Sequence, residues 1–373
     1  MPKKQKILVI HLEFPRWKTA KSWGYQAQLG FNVGLESNGA NIQSFIKLYA
    51  NKNSNNWMKA VKERVGAQKF DMVWMEVVHS EYSNDFLDFV SELAPVRLAM
   101  LGESLCYDEN ECFYAPVLRT RCDVVKRQLA YFTHALCVDE ADVDLIENEC
   151  GKRALWWVVG VPEWSIVRSI QEPIYDKASF SGPLYGARIR FVEHPDLSRC
   201  MLHLTPMENS GIHPKLFNAT QMLYETALRA LPVLAGYYNN AYVGALQNMR
   251  VRLFRSWIEG LKRGIAVVQL PHFVKAFPGR IYEGMAAGRP VITMRLKNRP
   301  KAMQLFEPNK EILFYDDSPE EIVELISMLQ KDKRIARKIS ENAAIKLRSH
   351  HTMDNAVKQI LRWVEKGDIP VYW

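Results

Sequence analysis

Pro271-His272-Phe273-Val274-Lys275-Ala276-Phe277-Pro278-Gly279-Arg280-Ile281-Tyr282-Glu283-Gly284-Met285-Ala286-Ala287-Gly288-Arg289-Pro290-Val291-Ile292-Thr293 is the stretch whose reading decides the fold. It follows Ile265 to Leu270, an apolar run short and β-branched enough for a buried strand. Pro278-Gly279 breaks the chain, and Arg280 to Ala287 reads as a short helix. Gly288 closes that helix as a left-handed cap. Val291-Ile292-Thr293 is the next strand, so the whole is a βαβ unit. Its turn lies at the carboxyl end of the first strand, where open parallel sheets bind ligands. A helix start offers free N–H groups and a positive dipole end to an anion. Lys275 and Arg280 flank that point with full charges. An ordinary α/β turn with a surface Lys and Arg would show the same pattern.

Outward from this unit, apolar strands and helices alternate along the chain. Before it come strands at 7–10, 42–46, 70–78, 96–101, 135–138 and 155–159, with helices between them. Residues 1–160 therefore read as one doubly wound α/β domain. Residues 161–177 lose periodicity and read as a linker. A second series runs over 178–352. It opens with the small-residue turn Ser181-Gly182-Pro183-Leu184-Tyr185-Gly186 and a helix bearing Arg188 and Arg190. Helices are expected over 214–231 and within 242–263. Ser318-Pro319-Glu320-Glu321 is a strong helix start, with Ser as cap, Pro at the first position and Glu at the third. A last helix and tail occupy 353–373.

A chain of 373 residues favours two domains over one core. No run of apolar residues reaches membrane-spanning length, and Ile7–Ile10 is too short for a signal-peptide core. A cytoplasmic protein is expected. The six cysteines include no C-x-x-C pair. His194, Cys200, His203 and His213 match no zinc spacing, so no metal site is expected. Asp316-Asp317 precedes a capped helix, which favours turn and capping roles over metal binding. The net charge is +8; residues 1–160 hold 19 Lys and Arg against 20 Asp and Glu, so the excess lies entirely in the second part. A basic second part suits a phosphorylated ligand or an anionic membrane surface. No nucleic-acid recognition motif accompanies the charge, so no nucleic-acid partner is expected.

With these motifs in view, the chain resembles the GT-B glycosyltransferases. Phe277 to Ile292 looks like the donor-binding motif of their family-4-like and CgeB-like groups, an "E-x-x-A-x-G-x-P-V-I" run beginning at Glu283. Leu305-Phe306-Glu307-Pro308 and His351-Thr352 are similar to further segments of the same groups. The resemblance is good over 178–365 and only architectural over 1–177. It implies two Rossmann-like domains facing a cleft, with the C-terminal helix packed back on the N-terminal domain. It also implies transfer of a sugar from a UDP- or GDP-sugar to a saccharide or lipid-linked saccharide, without metal or other cofactor and with retention favoured. Peripheral contact with the inner face of a membrane fits such an acceptor. The alternatives are a non-catalytic nucleotide-binding module and a nucleotide-sugar epimerase.

The resemblance places Glu283 on the donor ribose, where a carboxylate can accept from two adjacent hydroxyls. Gly279 and Arg280 fall beside the diphosphate, with His272, Phe277, Pro278, Gly182, Arg188 and Arg190 as further donor contacts. Lys275 stands where many family-4 enzymes carry a second glutamate that contacts the sugar, and a cation cannot accept a sugar hydroxyl. Lys275 and Arg280 are the candidates to stabilise the leaving diphosphate. In the first domain, Glu103, Glu76, His79 and His11 sit at expected strand ends. Glu103, in a glycine-bearing turn, is the first choice for a catalytic base, should one be needed. His11, His79 and the aromatic-cationic loop with Trp17, Trp23 and Tyr25 are the acceptor candidates, since aromatic faces stack on sugar rings.

Overall fold

In the computed structural model, residues 4–14, 26–49, 54–204 and 210–373 are described. The chain forms two compact units. They interleave in sequence: the first is Met1–Cys106, Val117–Trp157 and Gly211–Arg252, and the second is Tyr107–Pro116, Val158–Ser210 and Leu253–Trp373.

The first unit is built on β1 (Lys6–Glu13), β2 (Asn41–Leu48), β3 (Met72–Glu76), β4 (Val96–Leu101), β5 (His134–Cys137) and β6 (Arg153–Trp156). They form one parallel sheet in the order β2-β1-β3-β4-β5-β6. A parallel strand covered on both faces must be apolar throughout. Ile7, Leu8, Val9 and Ile10 are accordingly all buried. Helices α1 (Ser54–Val65), α2 (Asn84–Leu93), α3 (Leu118–Leu129) and α4 (Ala141–Cys150) connect the strands. The helix expected up to Ser37 is π-helical over Gln26–Asn32 and α-helical only over Val33–Ser37.

Residues 211–252 fall in the second domain of the sequence division, yet they pack in the first unit. They hold α5 (Pro214–Ala230) and most of α6 (Pro232–Leu261), a single helix where the sequence pattern left one or two. Specific contacts fix them. Asn239 Nδ2 donates to the Ser44 carbonyl at 2.6 Å. Gly236 lets the helix approach α1, for a Cβ there would lie 2.8 Å from the Ala60 carbonyl oxygen. Arg250 forms a buried two-point pair with Glu13.

The second unit carries β7 (Ala178–Phe180), β8 (Met201–His203), β9 (Val267–Gln269), β10 (Val291–Met294) and β11 (Leu313–Tyr315). Its parallel order is β11-β10-β9-β7-β8. Helix α7 (Gly279–Ala286) joins β9 to β10, and Gly288 follows it at φ +70°, the left-handed cap expected from the sequence. Helix α8 (Pro319–Lys331) starts as its motif requires, with Ser318 Oγ accepting from the N–H groups of Glu320 and Glu321. Helices α9 (Lys333–His350) and α10 (Met353–Lys366) end the series. The stretch 161–177 is docked rather than a free linker. Val167 N–H donates to the Ala286 carbonyl, Tyr175 N–H to Arg263, and Arg289 Nη1 to Gln171. Val161 bridges Thr352, and Gly160 permits it, since a Cβ there would lie 2.7 Å from the Thr352 backbone. Helix α10 belongs to the second unit.

Candidate active site

The second unit places the quoted turn at the carboxyl end of β9. Glycine at 284 seats α7 on the sheet, because a Cβ there would come within 3.0 Å of Val267 and Val291 side-chain atoms. Pro278, at φ −71° and ψ 161°, enters α7 without a side-chain cap. The N–H groups of Gly279 and Arg280 have no hydrogen-bond acceptor among the described residues. Such groups at a helix start need a ligand or water.

Arg280 and Glu283 face each other one turn apart on α7. Arg280 Nε lies 3.2 Å from Glu283 Oε2. The same oxygen accepts from Trp257 Nε1 at 2.6 Å, and the Arg280 guanidinium rests 4.2 Å from the centroid of the Trp257 ring. One indole therefore orients both charged groups. Burial pushes the Glu283 carboxyl upward, against the pull of Arg280 and Trp257. Burial also lowers Arg280, against the pull of Glu283. Two atoms remain unused. Arg280 Nη1 is buried with no acceptor, and no described residue donates to Glu283 Oε1.

Arg188 is buried nearby; burial lowers its proton affinity, and the charge of Arg280 lowers it further. Its Nε donates to the Pro271 carbonyl at 2.5 Å and its Nη1 to Pro183 at 3.0 Å. It thereby ties the Gly182 turn to the Pro271 loop; a Cβ on Gly182 would stand 3.2 Å from Nη1. Lys275 pairs with Glu111 Oε2 at 3.1 Å and lies 5.7 Å above the Tyr107 ring. Both partners come from Tyr107–Pro116, the early segment that belongs to this unit.

Two donor candidates fall elsewhere. Arg190 is exposed and pairs with Asp317. Phe277 is buried against Phe306 and Phe314, a core residue rather than a platform for a sugar ring. His272 is half-buried in the loop after Pro271. Of the loose histidine group, His194 caps a short helix and pairs with Glu320, His203 bonds the Gly182 carbonyl, and His213 caps α5.

The first unit gathers its own charges at the carboxyl ends of β1 to β4. His79 lies between two carboxylates, with Nδ1 2.9 Å from Glu76 Oε1 and Nε2 3.1 Å from Glu103 Oε1. Arg121 holds the other oxygen of Glu103. Despite burial, which lowers it, the two carboxylates raise His79 to about 10, so it is an imidazolium donating from both nitrogens. Burial would raise Glu103, but His79 and Arg121 bring it down to about 2. A general base works best with a pKa near the operating pH. Glu103 is therefore a poor base, contrary to the sequence expectation. His11 is no open acceptor contact either. It is 2% exposed, bonds Asn32 Oδ1 at 2.6 Å and is lowered to about 4 by burial. Trp17, Trp23 and Tyr25 lie outside the described residues.

Sequence reasoning missed Trp257, Glu111 and Arg121. Each acts through a partner 18 to 164 positions away, and no spacing signals it.

Residues 237–362 match the family described as glycosyl transferase-like. This segment includes Trp257, Lys275, Arg280, Glu283 and His351. A solved sucrose-phosphate synthase from Thermosynechococcus elongatus aligns over 98% of this chain and 100% of its own, at 12% identity and a TM-score of 0.60. Anabaena HepE in complex with UDP and glucose aligns over 97% and 99%, at 12% identity and a TM-score of 0.56. A glycosyltransferase from Rickettsia africae aligns over 98% and 100%, at 12% identity and a TM-score of 0.51. The chain has the GT-B fold. At these identities the solved structures establish its fold, and the family match places the glycosyltransferase-like segment across the quoted turn. No curated protein matches the sequence.

Proposed function

We propose that this chain is a glycosyltransferase that takes a nucleotide-diphosphate sugar, UDP- or GDP-linked, as donor and passes the sugar to a saccharide or lipid-linked saccharide. The observation that carries the reading is the set of unused polar atoms around α7: Arg280 Nη1, Glu283 Oε1 and the N–H groups of Gly279 and Arg280. Glu283 Oε2 is clamped by Trp257, and Oε1 accepts from the ribose hydroxyls. Arg280 and the helix-start N–H groups hold the diphosphate and stabilise its charge as the anomeric bond breaks. Each charge-assisted bond contributes about 1.5–3 kcal/mol. That positive charge supports a reaction without metal, and treatment with EDTA should leave activity nearly intact. Loss of activity that added metal restores contradicts it. HepE, a protein of the same fold, is solved with UDP-glucose, which supports this class of donor.

Retention fits better than inversion, because Glu103 is held too acidic between His79 and Arg121 to deprotonate an acceptor. Lys275 holds Glu111 beside the turn, so a carboxylate for the transferred sugar comes from Glu111 rather than from position 275. The test is calorimetry of UDP and GDP with Glu283→Ala, together with donor hydrolysis over a panel of UDP- and GDP-sugars. Weakened binding and slow sugar release support the reading. Unchanged affinity removes the ribose role, and binding with no release on any donor favours a non-catalytic module.

A further inference from the structure

Tyr107–Pro116 lies in the second unit, although the residues on either side of it belong to the first. Its short helix, Glu109–Tyr114, ends in Phe113 and Tyr114, which are 76% and 57% exposed. Cys112 alone is buried on that helix, so it anchors the turn and leaves both rings outside. The rings meet edge to face, with centroids 5.5 Å apart at 79°, and so do not cover each other. Tyr114 also rests on Gly186, whose φ of +53° favours glycine and where a Cβ would stand 3.5 Å from the Tyr114 ring. The neighbouring Tyr185 stacks on Phe273 of the Pro271 loop at 4.7 Å, with the Arg188 guanidinium 4.4 Å from its centroid. Four rings, Phe273, Tyr185, Tyr114 and Phe113, thus lead from the Pro271 loop to the surface. Exposed apolar side chains scattered singly are normal, but contiguous ones mark a binding surface. The local charge says what kind of ligand fits. Residues 107–116 hold three carboxylates, Asp108, Glu109 and Glu111, and no cation. Lys275 neutralises Glu111, which leaves the segment itself net negative. Such a rim repels a phosphate or an acidic ligand and offers hydrogen-bond acceptors to hydroxyl groups. A neutral sugar supplies both complements: an apolar ring face for the aromatics and hydroxyl donors for the carboxylates.

We infer that Phe113 and Tyr114 form a platform for the outer sugars of the acceptor, which is a neutral saccharide chain of at least two sugars. The inference rests on the glycosyltransferase reading for the chain's role as acceptor, while its binding to these rings can be measured alone. Glu111, the proposed carboxylate for the transferred sugar, lies two and three residues earlier on the same helix. That is less than one turn, about 5.4 Å along the axis. The sugar that receives the transferred one, and the sugar behind it, therefore fall within reach of the two rings. The rings select the acceptor and take no part in bond breaking.

The test is a glycan array of neutral oligosaccharides, from one sugar to about four, probed with the full chain in the presence of UDP and followed by calorimetry on the tightest binder. A chain should bind at least about tenfold more tightly than its single sugar. Phe113→Ser with Tyr114→Ser should erase that gain without lowering the melting temperature, because both rings are exposed. Phe113→Tyr with Tyr114→Phe should keep it. In transfer assays the serine pair should raise KM for the chain about tenfold and leave kcat within about twofold. Chains carrying uronic acids should bind more weakly than neutral ones of the same length. Absence of any gain with chain length overturns the inference, and so does a gain that the serine pair retains. Two further contrary outcomes are capture of a tetralysine peptide and a dimer in analytical ultracentrifugation, either one abolished by the serine pair while no saccharide binds. UDP binding with no gain from chain length sinks the platform and leaves the donor reading standing; a gain from chain length without UDP binding does the reverse.

Discussion

The quoted turn and the His79 cluster both sit at the carboxyl ends of parallel strands, and both concentrate charge. They differ in bookkeeping. Around His79 the charges balance: two carboxylates meet two cations, His79 and Arg121, although the buried Glu76 Oε2 has no hydrogen-bond partner. Around α7 they do not: Arg280 and Arg188 are two desolvated cations near each other, and Arg280 Nη1 has no acceptor. A closed network rigidifies its surroundings, whereas an open one of net positive charge is stable only with an anion or water present. The strand-end rule alone does not separate the two; the balance of charge does.

The largest expected effect tests the closed network. His79→Gln leaves two carboxylates facing each other with one cation fewer, and removing one partner of a buried pair costs about 3–5 kcal/mol. Thermal unfolding should shift down by many degrees while UDP affinity stays at the parent value. A fall in UDP affinity without a stability loss would reverse the roles assigned to the two regions.

The pH dependence sharpens the same point. His79 is raised in the folded state, from 6.5 to about 10, so its stabilisation is complete below about pH 6.5 and fades as pH climbs through 10. Glu103 is depressed, from 4.5 to about 2, so its share is present above about pH 4.5 and is lost as pH falls through 2. The melting gap between the parent and His79→Gln should thus be widest between those limits and narrow on the alkaline side. A gap that does not change from pH 6 to pH 10 contradicts a protonated His79.

Smaller effects probe the open region. Trp257→Phe keeps the ring under Arg280 but removes the donor to Glu283 Oε2. UDP should bind about tenfold more weakly, as befits one hydrogen bond to a charged group. Lys275→Met removes only a half-exposed pair with Glu111, so UDP binding should change by less than about fivefold. If the pair serves the transferred sugar as proposed, the rate of sugar release should change more than UDP affinity does. Equal changes in both would move Lys275 to the diphosphate.

Much of the fold was legible in the sequence because local signals and packing agree. Ile7 to Ile10, Gly288 and Ser318-Pro319 each read correctly for reasons contained within a few residues. The turn at Pro278-Gly279 was legible for the same reason, as were Arg280 and Glu283, one helical turn apart. What escaped depended on long-range pairing. Nothing local shows that residues 211–252 join β2 and α1, since the deciding contacts are Asn239 to Ser44 and Gly236 against Ala60. Glu103 looked like a base because its turn is glycine-bearing, and only the arrival of His79 and Arg121 reveals that its charge is already committed. Arg190 and Phe277 had residue types suited to a donor site, but Asp317 and Phe314 hold them elsewhere.

The most direct measurement is calorimetric titration of UDP into the parent and into Arg280→Met, with melting temperatures recorded for both. The methionine removes a buried, incompletely paired cation while keeping an unbranched apolar stem over Trp257. An open anion site at α7 predicts UDP binding weaker by roughly ten- to a hundredfold, the loss of one charge-assisted bond, with melting lowered because buried Glu283 loses its cation. Equal UDP affinity in the two proteins contradicts it.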